Sequence, residues 1–308
     1  MVLLEEIQKL VGTERVRQQE SMAAHTTFRI GGPAAFYVEV EDEEVLRRMI
    51  RLCRQTETPC FILGNGSNLL VDDQGYDGVM LSLDRLQKLH FLGKNPETGR
   101  ELVEAGAGLS LSRVANQAAG RGLAGFEFAG GIPGTLGGAV TMNAGAYGGE
   151  MKDVLVSARV MRQDGTVVTL TGEQLQLSYR NSIVQTENMI VLEATLSLEQ
   201  GEKTEILERM RDLNRKRREK QPLEYGSAGS TFKRPQGCFA AKLIEDAGLK
   251  GYRVGDVMVS DKHSGFVVNV GNGTYRQAMQ VIHHVQDTVR QKFQVELELE
   301  VKCLASPR

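Results

Sequence analysis

The stretch Ala124-Gly125-Phe126-Glu127-Phe128-Ala129-Gly130-Gly131-Ile132-Pro133-Gly134-Thr135-Leu136-Gly137-Gly138-Ala139-Val140-Thr141-Met142-Asn143-Ala144-Gly145-Ala146-Tyr147-Gly148-Gly149 sets the tightest limit on what this chain can become. Each glycine inside a helix or strand costs about 0.5–1 kcal/mol relative to alanine, so ordinary helix or strand is not expected here. Glycine at this density suits backbone that must come close to a phosphate or a flat cofactor. A shorter run, Gly64-Asn65-Gly66-Ser67-Asn68, has the same character. The two are read as sharing one large ligand, with the rest of the chain presenting a second ligand to it.

Length and composition narrow the classes. A chain of 308 residues has room for two or three domains with their own cores. A hydrophobic share of 41% and a charged share of 25% are those of a soluble globular protein. The net charge of −2 gives no global pull toward nucleic acid or membrane. No run approaches a membrane span, and the N-terminus lacks the basic start and apolar core of a signal peptide. The expected location is the cytoplasm. Cys53, Cys60, Cys238 and Cys303 are scattered without metal-like spacing, and no metal is expected.

Periodicity organises the rest. Leu3, Leu4, Ile7, Leu10 and Val11 predict an amphipathic helix over 3–17. A strand is expected over 35–40. Asp42 is expected to cap a helix with Val45, Met49 and Leu52 on its apolar face, ending before Pro59. Phe61-Ile62-Leu63 reads as a strand feeding the first glycine loop, and Leu69-Leu70-Val71 as a strand leaving it. A dinucleotide-binding or P-loop motif would enter a helix directly after its glycines. Strands are expected over 102–105 and 190–198, a helix over 109–121, and a hairpin of 154–161 with 166–170 around Asp164-Gly165. Residues 202–220 predict a charged helix whose basic end, Arg215 to Lys220, is interleaved with acids and reads as a solvated linker. Beyond it come a helix over 240–247, strands over 257–260 and 266–270, and a long helix opened by Thr274. Val295 to Val301 alternates strictly, which predicts a strand with Glu296, Glu298 and Glu300 on one face.

Taken alone, the glycine loops say only phosphate or cofactor. Four segments carry the reading further: Thr27-Phe28-Arg29-Ile30-Gly31-Gly32, Leu63-Gly64-Asn65-Gly66-Ser67-Asn68-Leu69-Leu70, Gly130-Gly131-Ile132-Pro133-Gly134-Thr135-Leu136-Gly137-Gly138 and Ala228-Gly229-Ser230-Thr231-Phe232-Lys233. In this order, and with Tyr179-Arg180, the chain resembles the UDP-N-acetylenolpyruvoylglucosamine reductase (MurB) family over nearly its whole length after the first helix.

The resemblance implies an α+β chain with an FAD-binding fold of the vanillyl-alcohol-oxidase type in two lobes, plus a C-terminal α/β substrate domain. The implied limits are residues 1–86 for the first lobe, completed by a C-terminal strand over 293–308, then 87–200 for the second lobe. A linker helix over 201–221 and a substrate domain over 222–292 follow. The family binds FAD non-covalently and uses NADPH as co-substrate to reduce UDP-N-acetyl-enolpyruvoylglucosamine. Gly64, Asn65, Gly66, Ser67, Asn68, Gly130, Gly131, Ile132, Pro133, Gly134, Gly137, Gly138, Asn143 and Gly145 match its cofactor segments. Arg180 matches the residue that stabilises the enolate formed after hydride addition, Ser230 the proton donor, and Glu300 the acidic partner near the C-terminus. A fixed guanidinium suits charge developing at a carboxylate. A serine hydroxyl is a weak acid and needs neighbours such as Lys233. Tyr179, Lys233, Arg234 and His263 are the expected substrate contacts.

Only nine residues separate Arg180 from the strand at Ile190. The chain therefore resembles the shorter subtype, without the inserted loop whose tyrosine covers the substrate. Alternation leaves Glu298 open as an alternative to Glu300. Two other functions stay open: an FAD-dependent oxidase of the same fold, and a non-catalytic nucleotide-binding module. Against the first, neither glycine loop offers the histidine or cysteine that often tethers the flavin in such oxidases. No nucleic-acid or membrane partner is expected, and a monomer is.

Overall fold

The computed structural model describes residues 2–305. In chain order the elements begin with α1 (Val2–Val11), β1 (Val16–Ser21), β2 (Pro33–Glu39), α2 (Glu43–Gln55), β3 (Cys60–Leu63), β4 (Leu69–Val71), β5 (Tyr76–Ser82), β6 (Leu89–Lys94), β7 (Glu101–Gly106) and α3 (Leu111–Gly120). They continue with β8 (Leu123–Ala124), α4 (Leu136–Met142), β9 (Gly145–Ala146), β10 (Gly149–Glu150), β11 (Leu155–Met161), β12 (Val167–Thr171), α5 (Ile183–Thr186), β13 (Ile190–Gln200) and α6 (Lys203–Lys220). The last are β14 (Gly226–Ser227), α7 (Ala240–Asp246), β15 (Arg253–Val254), β16 (Val257–Val259), β17 (Val267–Asn269), α8 (Tyr275–Phe293) and β18 (Lys302–Leu304). No helix among the described residues is long and apolar enough to cross a membrane.

The chain divides into two compact units. One comprises Met1–Arg17, Tyr37–Asn65 and Met80–Arg217, the other Gln18–Phe36, Gly66–Val79 and Arg218–Arg308. The boundary falls inside the first glycine loop, after Asn65. Met1 and residues 306–308, which belong to the expected limits of the first lobe, lie outside the described residues.

The first unit is built on the sheet β12-β11-β13-β7-β6. Its hairpin β11–β12 pairs Met161 with Val167, and Asp164 Oδ1 closes the turn by accepting from Thr166 N and Oγ1. Helix α2 starts as its sequence dictates: Asp42 accepts from Val45 N at 2.8 Å, and Leu46, Met49, Ile50 and Cys53 are buried at helical spacing. The Cys53 thiol is hydrogen-bonded to Cys60, which with burial pushes its pKa up. Helix α1 is shorter than its apolar spacing predicts. It ends at Val11 because Gly12 takes φ 86°, a conformation that favours glycine.

The second unit packs α7 and α8 with the sheet β14-β17-β16-β15. Thr274 and Gln277 form a capping box at the start of α8. Asp73 adds two charge-assisted bonds there, to Tyr275 N at 2.7 Å and Arg276 N at 3.0 Å. Ala278, Val281, Ile282, Val285 and Val289 then lie in one buried core with Val257, Val259 and Val267.

Two further expectations are corrected. The segment 295–301 is not a strand: it makes one isolated bridge, Leu299 to Phe232. The strand comes three residues later, as β18 beside β4 in parallel, Lys302 opposite Leu69. The second glycine stretch is not free of helix either, since α4 runs through its middle. Thr135 caps α4 by accepting from Gly138 N at 3.4 Å, and Leu136 and Val140 anchor it in the core. Gly137 is there for packing, because a Cβ on it would lie 2.9 Å from the Ala107 Cβ.

Candidate active site

In the first unit the glycine segments meet. A Cβ on Gly64 would lie 2.5 Å from Thr135 Oγ1, so only glycine lets β3 run this close to the second stretch. The Asn65 amide then donates to the Pro133 carbonyl at 2.7 Å. Among the described residues, no amide N–H from Gly64 to Asn68 donates to a protein acceptor. Such consecutive donors suit an anion. At the start of α4, by contrast, Leu136 N and Gly137 N are already taken by the carbonyls of Leu109 and Ala107. The first loop is therefore the better suited to hold a phosphate, and Gly130, Gly131 and Gly134 offer backbone without side chains.

That backbone has neighbours the sequence reading missed. A Cβ on Gly130 would lie 2.9 Å from Met210 Cε, and one on Gly131 would lie 2.7 Å from Asn214 Oδ1 and 3.2 Å from Arg217 Cδ. Burial lowers the Arg217 pKa from its ordinary value, with Tyr147 opposing the shift. A guanidinium nevertheless stays charged in proteins. The signal was present in the sequence: Met210, Asn214 and Arg217 fall at i, i+4 and i+7 and share one face of α6. It was masked by the basic run around them, which resembles a solvated surface.

Further along, Asn143 ends α4 in the left-handed region, φ 43°. It is fully buried, and its side-chain bonds are all to protein. Its Nδ2 donates to Glu150 Oε2 at 2.6 Å and to the Ser178 carbonyl at 3.1 Å, and its Oδ1 accepts from Lys152 N at 2.9 Å. Gly145 pairs with Glu150 across β9–β10. Ser178 and Asn181 exchange backbone bonds, so Tyr179 and Arg180 form the tip of a tight turn. Arg180 has φ 54°, and its guanidinium lies 5.1 Å from the Tyr179 ring centroid. Tyr179 itself is exposed.

The second unit assembles the other candidates around Thr231, a motif residue to which the sequence assigned no role. Thr231 is buried. Its N–H donates to the Gly265 carbonyl at 2.9 Å, its carbonyl accepts from Glu300 N at 2.9 Å, and its Oγ1 accepts from Val267 N at 3.0 Å. Ser230, half-buried, follows Gly229 at φ 75°. The Asn68 amide donates to the Glu300 carbonyl at 3.0 Å. Within the second unit, Asn68, Glu300 and the serine motif are thus joined by short bonds. Gly66 is fixed here too, since a Cβ would lie 2.1 Å from the His25 carbonyl.

The two glutamates separate in their surroundings. Glu298 is exposed and pairs with Lys233 Nζ at 3.1 Å, whereas Glu300 is half-buried. The Arg234 guanidinium covers the Phe239 ring at 4.4 Å. His263 stands in the turn that leads to Gly265, its Nδ1 accepting from Gly265 N at 3.1 Å and its ring edge-on to Phe266. Burial pulls the His263 pKa down, so the neutral ring is favoured, consistent with Nδ1 as an acceptor.

Comparisons with known proteins agree on what this arrangement resembles. A model of the C-terminal domain of UDP-N-acetylenolpyruvoylglucosamine reductase matches residues 221–304, and an FAD binding domain model matches residues 34–171. The chain is 49% identical over 303 residues to the UDP-N-acetylenolpyruvoylglucosamine reductase of Lachnoclostridium phytofermentans, covering 98% of this chain and 97% of the relative. It is 46% identical over 303 residues to that of Caldanaerobacter subterraneus subsp. tengcongensis, covering 98% of each. The crystal structure of the enzyme from Thermus caldophilus superposes with a TM-score of 0.79 at 37% identity, covering 94% of this chain and 98% of the other. A glucose oxidase variant of Phl p 4 matches at a TM-score of 0.50 and 11% identity, over 65% of this chain and 44% of the other, which speaks for the fold alone.

Proposed function

The chain belongs to the UDP-N-acetylenolpyruvoylglucosamine reductase family, and from that premise we propose the roles that follow. It is an FAD-dependent oxidoreductase with the FAD-binding fold of the vanillyl-alcohol-oxidase type. With NADPH it reduces UDP-N-acetyl-enolpyruvoylglucosamine to UDP-N-acetylmuramate, a step of peptidoglycan precursor synthesis. The bound FAD supplies the relay of hydride from NADPH to the vinyl ether.

The N–H groups of Gly64 to Asn68 hold the cofactor diphosphate. Gly130, Gly131, Ile132, Pro133, Gly134, Gly137 and Gly138, with Asn143 and Gly145 adjoining, supply the wall along the flavin. When hydride has added to the vinyl methylene carbon and the C=C π bond has broken, negative charge accumulates toward the carboxylate. Arg180 meets that charge with its planar fork. Ser230 then gives its hydroxyl proton to the neighbouring carbon, which completes the lactyl ether, and Glu300 is the acidic partner. Tyr179, Lys233, Arg234 and His263 contact the substrate. Residues 1–86 with the C-terminal segment from 293, and residues 87–200, are the cofactor lobes; 201–221 links them to a substrate domain over 222–292. The protein acts as a cytoplasmic monomer.

The observation that carries this reading is the chain of bonds from Asn68 to Glu300 to Thr231. It joins a cofactor loop to the residue beside the proton donor. The test is stoichiometric: purified protein with NADPH and the enolpyruvyl substrate should oxidise one NADPH per product and add two hydrogen atoms to the ether. NADPH consumption that tracks oxygen without product would indicate an oxidase instead.

A further inference from the structure

The turn that presents Arg180 is suspended from the end of α4 by two fully buried polar side chains. Asn143 Nδ2 donates to the Ser178 carbonyl at 3.1 Å. Ser182 Oγ donates to the Thr141 carbonyl at 2.7 Å and accepts from Gln185 N at 3.4 Å. Both residues have 0% exposure. They bracket the tip Tyr179-Arg180 in sequence, one bond before it and one just after. Arg180 itself sits at φ 54°, a conformation that costs a side-chain-bearing residue of order 1–3 kcal/mol and persists only where its surroundings impose it. The amide protons of Asn143 are both used within the protein, and its Oδ1 is bonded to Lys152 N.

We infer that Asn143, assisted by Ser182, is a positioning residue for Arg180: it fixes the turn so that the guanidinium meets the substrate carboxylate in the reacting geometry. This rests on the reading of Arg180 given above. The physical reason is one of tolerance. A displacement of about 1 Å at a catalytic group can cost ~10²-fold in rate, and the bonds from Asn143 and Ser182 fix the backbone on both sides of the tip. The clamp also accounts for a fully buried asparagine at the end of α4.

The test is a double-mutant cycle read on separate half-reactions. Asn143→Asp keeps the shape but removes the donor and adds a charge beside Glu150. Oxidation of the reduced flavin by the enolpyruvyl substrate should slow by ~10-fold or more in Asn143→Asp, yet by under ~3-fold when Arg180 is already lysine, because residues acting as a unit are non-additive. In Ser182→Ala, at a residue outside the cofactor wall, flavin content and the rate of flavin reduction by NADPH should stay near those of the unsubstituted protein. Additive losses in the cycle, or a fall in flavin content and NADPH reduction in Ser182→Ala that parallels its loss of turnover, would overturn the inference. If Asn143→Asp does not fold, the same cycle with Ser182→Ala decides between these outcomes. Arg180→Lys alone reports on the function: normal turnover there removes the role of Arg180 and the inference with it, whereas deficient Arg180→Lys with additivity removes the inference only.

Discussion

The two regions that carry the candidate residues are made in opposite ways. In the first unit, Gly64, Gly130 and Gly131 are defined by what they lack: a Cβ at each would lie within 2.9 Å of a side-chain atom. In the second unit, Ser230 and Glu300 are held through backbone bonds, with Thr231 as the common partner of Gly265, Val267 and Glu300, and His263 stands in the turn before Gly265. One region removes side chains so that backbone can lie close against Thr135, Met210, Asn214 and Arg217. The other fixes backbone so that a few side chains project from a known place. The first is suited to holding, the second to reacting. Substitutions should therefore separate into two kinds, those that lose the cofactor and those that keep it and lose the chemistry.

The largest effect should come from the reacting side. Ser230→Ala is expected to retain its flavin and its reduction by NADPH while turnover falls by at least ~10²-fold, the lower range for acid–base catalysis. Stopped-flow measurement of the two half-reactions checks this. Near-normal turnover would show that Ser230 is a turn residue and would erase the contrast. Gly64→Ala should do the reverse. Its Cβ enters the space of Thr135 Oγ1, 2.5 Å away, and overpacking of this kind costs about 1–3 kcal/mol. The expected result is protein purified with less flavin and a lower Tm, but with normal turnover per bound flavin. Full flavin content in that variant would mean that the loops do not share a ligand.

A finer distinction lies between the two glutamates. Glu298→Gln removes an exposed pair with Lys233, so stability should change by less than about 1 kcal/mol and turnover little. Glu300→Gln should lose turnover, and equal kinetics in the two variants would move the acidic role. The smallest effect is a pH slope. Burial holds His263 below its ordinary value of 6.5, so the unfolded chain binds more protons in the interval between the folded and unfolded values. The stability is fully present above the unfolded value and is lost as pH falls through the folded one. Thermal melts from about pH 7 to 5 should steepen less in His263→Gln than in the unsubstituted protein. Identical slopes would place the ring in water.

Much of this contrast was legible in the sequence. Asp42, Thr274, the Asp164-Gly165 turn and the apolar stripe of α8 each follow from local chemistry, and the structure has them where spacing puts them. The joining of the two glycine loops was also readable, since glycine density implies close approach of backbone. Its cause was not. The same glycines that suggest irregular backbone are compatible with α4 once Thr135 caps it and Gly137 lies on Ala107. Strict alternation at 295–301 was misleading because no neighbouring strand is there to pair with it beyond Leu299. Thr231 and Asn143 were invisible as organisers for a related reason. Their partners, Gly265 and Ser178, are distant in sequence, and their work is done through hydrogen-bond geometry that residue type alone does not encode.

The central claim is that one region holds a flavin while the other transfers a proton to a substrate reduced through it. The most direct measurement is the visible spectrum of the purified protein followed without oxygen. Flavin absorption should be present, should bleach on addition of NADPH, and should return when UDP-N-acetyl-enolpyruvoylglucosamine is added. A bleached spectrum that returns only when oxygen is admitted, with no response to the enolpyruvyl substrate, would contradict the account.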